Sequence, residues 1–215
     1  ISADELFARH RAFGARLEAA VAPRLGQRRN GRDAERRIRI GYLSADFREH
    51  SLRFFFMPLL RHHDRSRVDV RCYNLTAAPD AIQEAMRTLA RDHGDTDWVD
   101  VHAWSNEALA QRIEHDGIDV LVDLAGHTRG NRLAMLLRRC APLTLTALGF
   151  PCTTGLDTID FKLTDHEADP PSADRFYSER LMRLERGFWC FEPPEAAPDA
   201  ALPPSAASAG GVFTF

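Results

Sequence analysis

The chain has 215 residues, of which 44% are apolar, enough for one large domain with a packed core. Its 28 lysines and arginines against 31 aspartates and glutamates give a net charge of −3, which argues against nucleic acid or an acidic membrane as a general partner. The four cysteines form no CxxC pair, so neither a zinc site nor a disulfide framework is indicated, and reduced thiols fit a cytoplasmic protein. No apolar run or leader-like segment predicts a membrane span or a secretory signal.

The sequence predicts a helix and a basic linker in residues 1–36. Ser2 and Glu5 form a capping box, and apolar residues then recur at helical spacing to about Ala22, before Pro23. The segment that follows is rich in arginine, contains two glycines and has few apolar residues, which is typical of a linker. Because the chain starts with Ile1 and not with Met, we expect it to be part of a longer protein.

Strand-like and helix-like periods alternate from residue 38 onward. Strands are predicted at 38–43, 68–75, 98–101, 118–124, 143–148, 159–164 and 181–184, and helices at 52–62, 81–92, 106–115 and 132–139. Ser51 is the expected N-cap of the helix at 52–62. This alternation predicts an α/β fold with a Rossmann-like, doubly wound parallel sheet in residues 37–191. Residues 192–211, rich in proline and alanine, predict a linker, and 212–215 the start of a second domain.

His50 lies in the loop after the first predicted strand. Ligands of open α/β sheets bind at the carboxyl ends of the strands, and an imidazole can accept a proton from a hydroxyl group near neutral pH. The alternative is a solvated histidine that precedes a helix. Two glycine-containing loops, 125–132 and 148–155, follow later strands and should lie at the same edge, where backbone N–H groups can approach a ligand. The alternative for these loops is a structural role as tight turns.

Known cofactor motifs do not fit these loops. Neither loop matches the GxGxxG dinucleotide fingerprint or the GxxxxGK[ST] phosphate loop, so a nicotinamide or ATP enzyme is not supported. Asp95 and Asp97 form a DxD pair, but the pair precedes a strand and should therefore lie at the opposite edge of the sheet. We therefore expect no metal site.

Five blocks of the sequence together resemble the O-GlcNAc transferases, a family that includes the plant SPINDLY-type proteins. From residue 37 to residue 194, they are RIRIGYLSADFREHS, DGIDVLVDLAGHTRGNR, RRCAPLTLTALGFPCTTGLDTIDFKLTD, DPPSADRFYSERLMRL and GFWCFEPP. The resemblance implies the N-terminal lobe of a GT-B glycosyltransferase, which transfers GlcNAc from UDP-GlcNAc to Ser or Thr hydroxyls. It further implies an inverting reaction without metal or cofactor, tetratricopeptide repeats before residues 1–36, and a second catalytic lobe that begins at 212–215.

The resemblance also implies roles for individual residues. His50 matches a family histidine that is proposed as the base or as the group that orients the acceptor. Residues that match loops on the sugar and acceptor side of the cleft are His127, Thr128, Leu148, Gly149 and Pro151. Tyr177 matches a tyrosine near the same cleft, with core packing as the alternative. Phe150 and Cys152 depart from the family, in which tyrosine and glycine are commoner.

The implied partners are protein or peptide acceptors, a UDP-sugar, and the second lobe and repeats of the same chain. Because the second lobe supplies most contacts to uridine and diphosphate in this family, the resemblance implies that these 215 residues alone are inactive. Two alternatives stay open. One is a related transferase or epimerase that uses another UDP-sugar, and the other is a non-catalytic protein-binding scaffold.

Overall fold

The structure is a computed structural model that describes residues 1–21, 30–31, 33, 35–91 and 97–194. The strands in this part of the chain are β1 Ile38–Ser44, β2 Val68–Asn74, β3 Trp98–Asp100, β4 Val120–Asp123, β5 Leu143–Thr146, β6 Phe161–Asp165 and β7 Arg180–Leu184. The α-helices are α1 Ala3–Ala20, α2 Arg53–His62, α3 Ala81–Ala90, α4 Asn106–His115 and α5 Leu133–Leu136, and a 3-10 helix covers Pro171–Phe176.

All seven of these strands are parallel and form one sheet in the order β3-β2-β1-β4-β5-β6-β7. The chain builds the sheet from β1 to β3 in one direction, then crosses through α4 to β4 on the other side of β1. The strand order therefore reverses between β1 and β4, which is the position where open α/β sheets form a ligand crevice. The predicted Rossmann-like, doubly wound fold is confirmed.

The sheet is buried on both faces, as its nearly continuous apolar strands predict. Successive residues of a strand point to opposite faces, so neighbours belong to different cores. Tyr42 of β1 packs in the core under α2 and α3, whereas Leu43 packs in the core under α4 and α5. Side chains of α1, including Phe13 and Leu17, pack against this second core.

Helix α1 begins as predicted, because the side chain of Ser2 accepts a hydrogen bond from the backbone N–H of Glu5. Its contact with the sheet domain is close. Gly14 lies against the backbone of Gly155, and a Cβ atom at position 14 would come within 2.0 Å of the Gly155 carbonyl oxygen. Arg11 forms an ion pair with Asp157 at 2.6 Å. The helix therefore packs directly on the loop that follows β5.

Much of the predicted basic linker, residues 22–29, 32 and 34, lies outside the described residues, as do 195–215, which include most of the predicted second linker and the start of a second lobe. Within the described linker residues, Arg36 and Asn30 both bind the buried carboxylate of Asp119 at the start of β4. No helix in the described ranges has the length and apolar character that a membrane span requires.

Two local predictions were wrong. Ser51 does not cap α2, which begins at Arg53 without a side-chain cap. The chain already turns helically at this point, with the N–H of Arg53 bonded to the carbonyl of His50, and the His50 ring accepts the N–H of Leu52. The helix predicted at 132–139 covers only Leu133–Leu136, because the chain continues in tighter turns in which the amides of Arg138 and Arg139 bond three residues back, and Arg139 then takes a left-handed conformation with φ of 49°.

Candidate functional site

Three loops meet at the carboxyl edge of the sheet, where β1, β4 and β5 end. Their backbones are so close that a Cβ atom added to Gly130 would lie 2.7 Å from Ala45, which is in the loop after β1. A Cβ at Gly149, after β5, would lie 2.1 Å from the carbonyl oxygen of Leu124, after β4. The structure therefore brings the three predicted loops together at the reversal of strand order.

His50 lies in the first of these loops, and its side chain is 39% exposed. The backbone N–H of Leu52 donates to His50 Nδ1 at 3.2 Å, so that nitrogen carries no proton. In the neutral imidazole the proton is therefore on Nε2, which lies 3.9 Å from a carboxylate oxygen of Asp46. In this geometry His50 presents an N–H donor, whereas the lone pair of Nδ1 is already occupied.

The loop that carries His50 is anchored by two side chains of the loop after β2. Asp80, the N-cap of α3, accepts the backbone N–H of Glu49 at 2.7 Å as well as that of Gln83 in its own helix. These backbone hydrogen bonds lower the pKa of the Asp80 carboxyl. Thr76, after β2, donates its hydroxyl to the carbonyl of Ala45 at 2.9 Å. The loops after β1 and β2 therefore hold each other in place.

Asp123, the last residue of β4, shapes the second loop. Its fully buried carboxylate accepts the N–H of Gly126 at 2.7 Å, the N–H of Ala125 at 3.3 Å and the hydroxyl of Thr146 at 3.2 Å. Burial nevertheless raises the pKa of Asp123 to about 6. Gly126 itself has φ of 55°, a conformation that glycine adopts without steric cost.

His127 and Thr128 use their polar atoms inside the protein. His127 Nε2 donates to the carbonyl of Thr154 at 2.8 Å, and its ring contacts the rings of His10, Phe13 and Phe150. Burial lowers the pKa of this histidine. Thr128 donates its hydroxyl to the carbonyl of Ala125 at 2.8 Å. In this arrangement, His127 joins the loops after β4 and β5 to α1.

The third loop contains Leu148, Gly149 and Pro151. Leu148 has φ of 61°, a left-handed conformation that is unusual for leucine. Pro151 is exposed, and its carbonyl lies 2.9 Å from the hydroxyl of Tyr177, which is also 2.6 Å from a carboxylate oxygen of Asp169. Tyr177 therefore contacts the backbone of the loop through its hydroxyl group.

This loop also contains Phe150 and Cys152, the two residues that depart from the family pattern. The Phe150 ring packs against His127 and His10. Cys152 is half-buried, and burial raises the pKa of its thiol.

A second buried carboxylate, Glu179, holds the end of the same loop. It accepts the backbone N–H of Thr154 at 2.8 Å and the hydroxyl of Thr153 at 2.7 Å, and it also binds the hydroxyl of Thr154. The carbonyl of Thr154 is the group that His127 binds, so Glu179 fixes the partner of that ring.

Sequence reasoning missed the charged residues beneath the loops, namely Asp123, Lys162 and Glu179. The available signal was a charged residue within or next to an otherwise apolar strand, as in VLVD before Gly126 and FKLT in β6. Charged side chains are almost never fully buried unless they are paired, so such a position marks a specific interaction. Among the described residues, no group of three or more His, Cys, Asp or Glu side chains could hold a metal ion. Asp95 lies outside the described residues.

Known proteins are similar to this chain over most of its length. Residues 17–193 match the family model described as glycosyl transferase family 41. The chain is 38% identical over 213 residues to a protein of Arabidopsis thaliana named probable UDP-N-acetylglucosamine–peptide N-acetylglucosaminyltransferase SPINDLY, covering 99% of this chain and 23% of that protein. It is 31% identical over 153 residues to the UDP-N-acetylglucosamine–peptide N-acetylglucosaminyltransferase of Caenorhabditis elegans, covering 71% of this chain and 13% of that protein.

A solved structure is also similar. The K341M mutant of Thermobaculum terrenum O-GlcNAc transferase matches with a TM-score of 0.85 and 32% sequence identity, over 95% of this chain and 38% of that one. The chain thus spans less than a quarter of the plant relative and less than two fifths of the chain in the solved structure.

Proposed function

Because this chain belongs to glycosyl transferase family 41, we propose that it forms the N-terminal catalytic lobe of a protein O-GlcNAc transferase. The reaction would transfer GlcNAc from UDP-GlcNAc to Ser or Thr hydroxyls of proteins. The observation that carries this proposal is the meeting of the His50 loop with the Gly126 and Gly149 loops where the strand order reverses, in a chain whose relatives are named for this activity.

The inverting reaction forms one bond and breaks another at the anomeric carbon. The acceptor oxygen attacks that carbon, the bond to the UDP oxygen breaks, and the hydroxyl proton passes to a base. In the observed geometry, His50 would contribute Nε2–H as a donor to a substrate oxygen and so orient it, because the backbone N–H of Leu52 occupies Nδ1. The candidate residues of the other two loops would form the adjoining wall of the crevice.

The remaining parts of the proposal concern regions beyond these 215 residues. We propose that a second lobe holds most of the UDP, that tetratricopeptide repeats present protein acceptors, and that the protein acts in the cytoplasm without a metal or cofactor. Accordingly, the 215-residue chain alone should transfer no sugar, whereas the full-length protein that carries it should. Transfer by the isolated chain would contradict this division between the lobes.

The direct experiment measures transfer of labelled GlcNAc from UDP-GlcNAc to a panel of Ser- and Thr-containing peptides by the full-length protein. His50→Ala should lower kcat/KM by about 100-fold or more, the range typical for loss of a positioned catalytic histidine. His62→Ala is the matched control, because His62 is an exposed histidine at the end of α2. An unchanged rate for His50→Ala would remove His50 from the mechanism.

Two further outcomes distinguish the alternatives. Calorimetry with UDP-GlcNAc and UDP-glucose compares the donors, and tighter binding of UDP-glucose would favour a related enzyme with another donor. Absence of transfer to every peptide, together with retained binding of those peptides, would favour a protein-binding scaffold.

The role of His50 as donor or base can be separated by substitution. The amide N–H of His50→Gln can replace Nε2–H but cannot act as a base, so a donor role predicts that Gln retains clearly more activity than Ala. Equal inactivity of the two variants, with a rate that rises through the titration of an imidazole in the unaltered protein, would instead indicate a base.

A further inference from the structure

Lys162 is the single lysine of the chain, since all other members of its 28 lysines and arginines are arginine. It is the second residue of β6 and is only 4% exposed. Its ammonium group donates to the backbone carbonyl of Phe150 at 2.7 Å and lies 5.9 Å from the centre of the Tyr177 ring. The one lysine of an arginine-rich chain is therefore buried beneath the candidate site.

Burial of an ammonium group is costly, so groups around Lys162 must stabilise its charge. Burial lowers the pKa of Lys162, and the carboxylates of Asp169, Glu179 and Asp123 oppose that effect. These carboxylates are themselves bound to the loops after β4 and β5 or to Tyr177. Lys162 is thus a buried cation under the electrostatic influence of the carboxylates that hold the candidate loops.

The carbonyl that Lys162 binds belongs to a closely packed part of the site. Two residues before Phe150, Leu148 adopts a left-handed conformation, which is sterically unfavourable for a residue with a side chain. The intervening Gly149 is packed against the carbonyl of Leu124. A Cβ atom at Gly126 would in turn lie only 2.5 Å from the Cβ of Phe150. A strained conformation of this kind persists only where its surroundings hold it.

We propose that Lys162 is a positioning residue of the transferase site. By binding the Phe150 carbonyl, its ammonium group holds Leu148 in the left-handed conformation and Gly149 against Leu124, so that the loop offers substrates one fixed surface. The effect on transfer rests on the proposed function, whereas the effect on the loop does not. No direct contact between Lys162 and a substrate is required.

The test compares Lys162→Met with Lys162→Arg in the full-length protein. Methionine has a similar length but neither charge nor donor, whereas arginine keeps both and should remain closer to the unaltered protein. Hydrogen exchange is measured first. In Lys162→Met, the amides of Gly149 and Thr154 should exchange at least tenfold faster, while that of Leu124, bonded to Leu43 in the sheet, should be unchanged.

Kinetics of transfer form the second part of the test. Lys162→Met should lower kcat/KM by about 10- to 100-fold, since small displacements of positioning groups have effects of that order. The loss should fall mainly on kcat and only weakly on KM for UDP-GlcNAc, because the second lobe is proposed to hold UDP.

Arg65→Met is the matched control for general destabilisation. Arg65 is a half-buried cation that also binds backbone carbonyls, those of Leu60 and Leu89, but these lie at the ends of α2 and α3. This variant should lower the melting temperature without changing exchange at Gly149 or the kinetics.

Three outcomes would overturn the proposal. These are unchanged exchange at Gly149 in Lys162→Met, faster exchange with unchanged kcat, or the same kinetic loss in Arg65→Met. If the unaltered protein transfers no sugar, the proposed function fails, and hydrogen exchange alone still decides whether Lys162 holds the loop.

Discussion

The two edges of the sheet both contain buried carboxylates, but the groups that neutralise them differ. At the amino edge, Asp116 binds the guanidinium groups of Arg71 and Arg112 and the hydroxyl of Tyr73. Asp119 nearby binds Arg36 through two hydrogen bonds, which together with other donors lower its pKa. The partners come from different strands, helices and the linker, so these carboxylates connect elements to one another.

At the carboxyl edge, the partners are mainly backbone N–H groups and hydroxyls. Asp123 binds the amides of Ala125 and Gly126, and Glu179 binds the amide of Thr154. Lys162 adds one cation near both carboxylates. A carboxylate bound to successive amides fixes the path of a loop and not the distance between two elements. The amino edge therefore stabilises the fold, whereas the carboxyl edge shapes the candidate site.

The largest expected effect is a loss of kcat/KM on substitution of Gly149 at the carboxyl edge, with Gly117 at the amino edge as the comparison. In Gly149→Ala, the new Cβ would lie 2.1 Å from the Leu124 carbonyl, so the backbone must move, and kcat/KM of the full-length protein should fall by about 100-fold. In Gly117→Ala, at the amino edge, φ of 64° costs about 1–2 kcal/mol, but the nearest atom belongs to the flexible Arg39 side chain. Activity per folded molecule should then be unchanged. Equal losses of kcat/KM in the two variants would contradict the proposed difference between the two edges.

The next effect is on stability at the amino edge. Asp116→Ala leaves Arg71 and Tyr73 without their buried partner, so the free energy of unfolding should fall by about 3–5 kcal/mol. Urea denaturation monitored by circular dichroism measures this change. Activity per folded molecule should be retained. A specific loss of kcat in a well-folded variant would mean that this edge also contributes to the site.

A smaller effect, with a distinctive pH dependence, is expected for Asp123→Asn. The pKa of Asp123 is raised from an ordinary value of 3.8 to about 6, so the folded protein holds this proton more tightly than the unfolded chain does. Its contribution to stability is complete below pH 4 and is lost as the pH rises through 6, a change of about 3 kcal/mol. Asparagine cannot titrate. The stability of the unaltered protein relative to the variant should therefore increase from pH 7 to pH 4, and a pH-independent difference would contradict the expectation.

The smallest effect is expected for an exposed ion pair at the amino edge. Arg37 and Asp69 are 2.9 Å apart, and both side chains are more than one third exposed. Asp69→Ala should change the free energy of unfolding by about 0–1 kcal/mol, as is usual for exposed pairs. The change should shrink further in 0.5 M salt. A loss comparable to that of Asp116→Ala would show that burial does not determine how much these ion pairs contribute to stability.

Periodicity alone was enough to predict the sheet and most helices, because apolar strands and amphipathic helices alternate clearly after Ile38. It also placed His50 at the correct edge, since the ends of parallel strands share an edge. The Ser51 cap was predicted wrongly, because the amides that its side chain would bind, those of Arg53 and Phe54, are bonded to the backbone carbonyls of His50 and Ser51. The contact between Gly14 and Gly155 could not be predicted, since nothing in the local sequence specifies which backbone a helical glycine approaches.

The charged groups under the loops were missed for a related reason. A lone lysine in β6 carries no periodic signal, and only the folded chain brings it to the carbonyl of Phe150. The roles of the residues carried over from the family remain predictions, whereas their neighbours in space are now defined.

The scarcity of lysine provides a practical probe. An endoproteinase specific for lysine has one cleavage site in this chain, after Lys162, and that bond lies in a buried strand. Proteases cut a buried strand only when it opens, so the rate of this single cut measures how often β6 separates from its neighbours. A ligand that binds the candidate loops of this lobe would slow the cut, which gives a binding assay that needs neither labelled sugar nor a known acceptor.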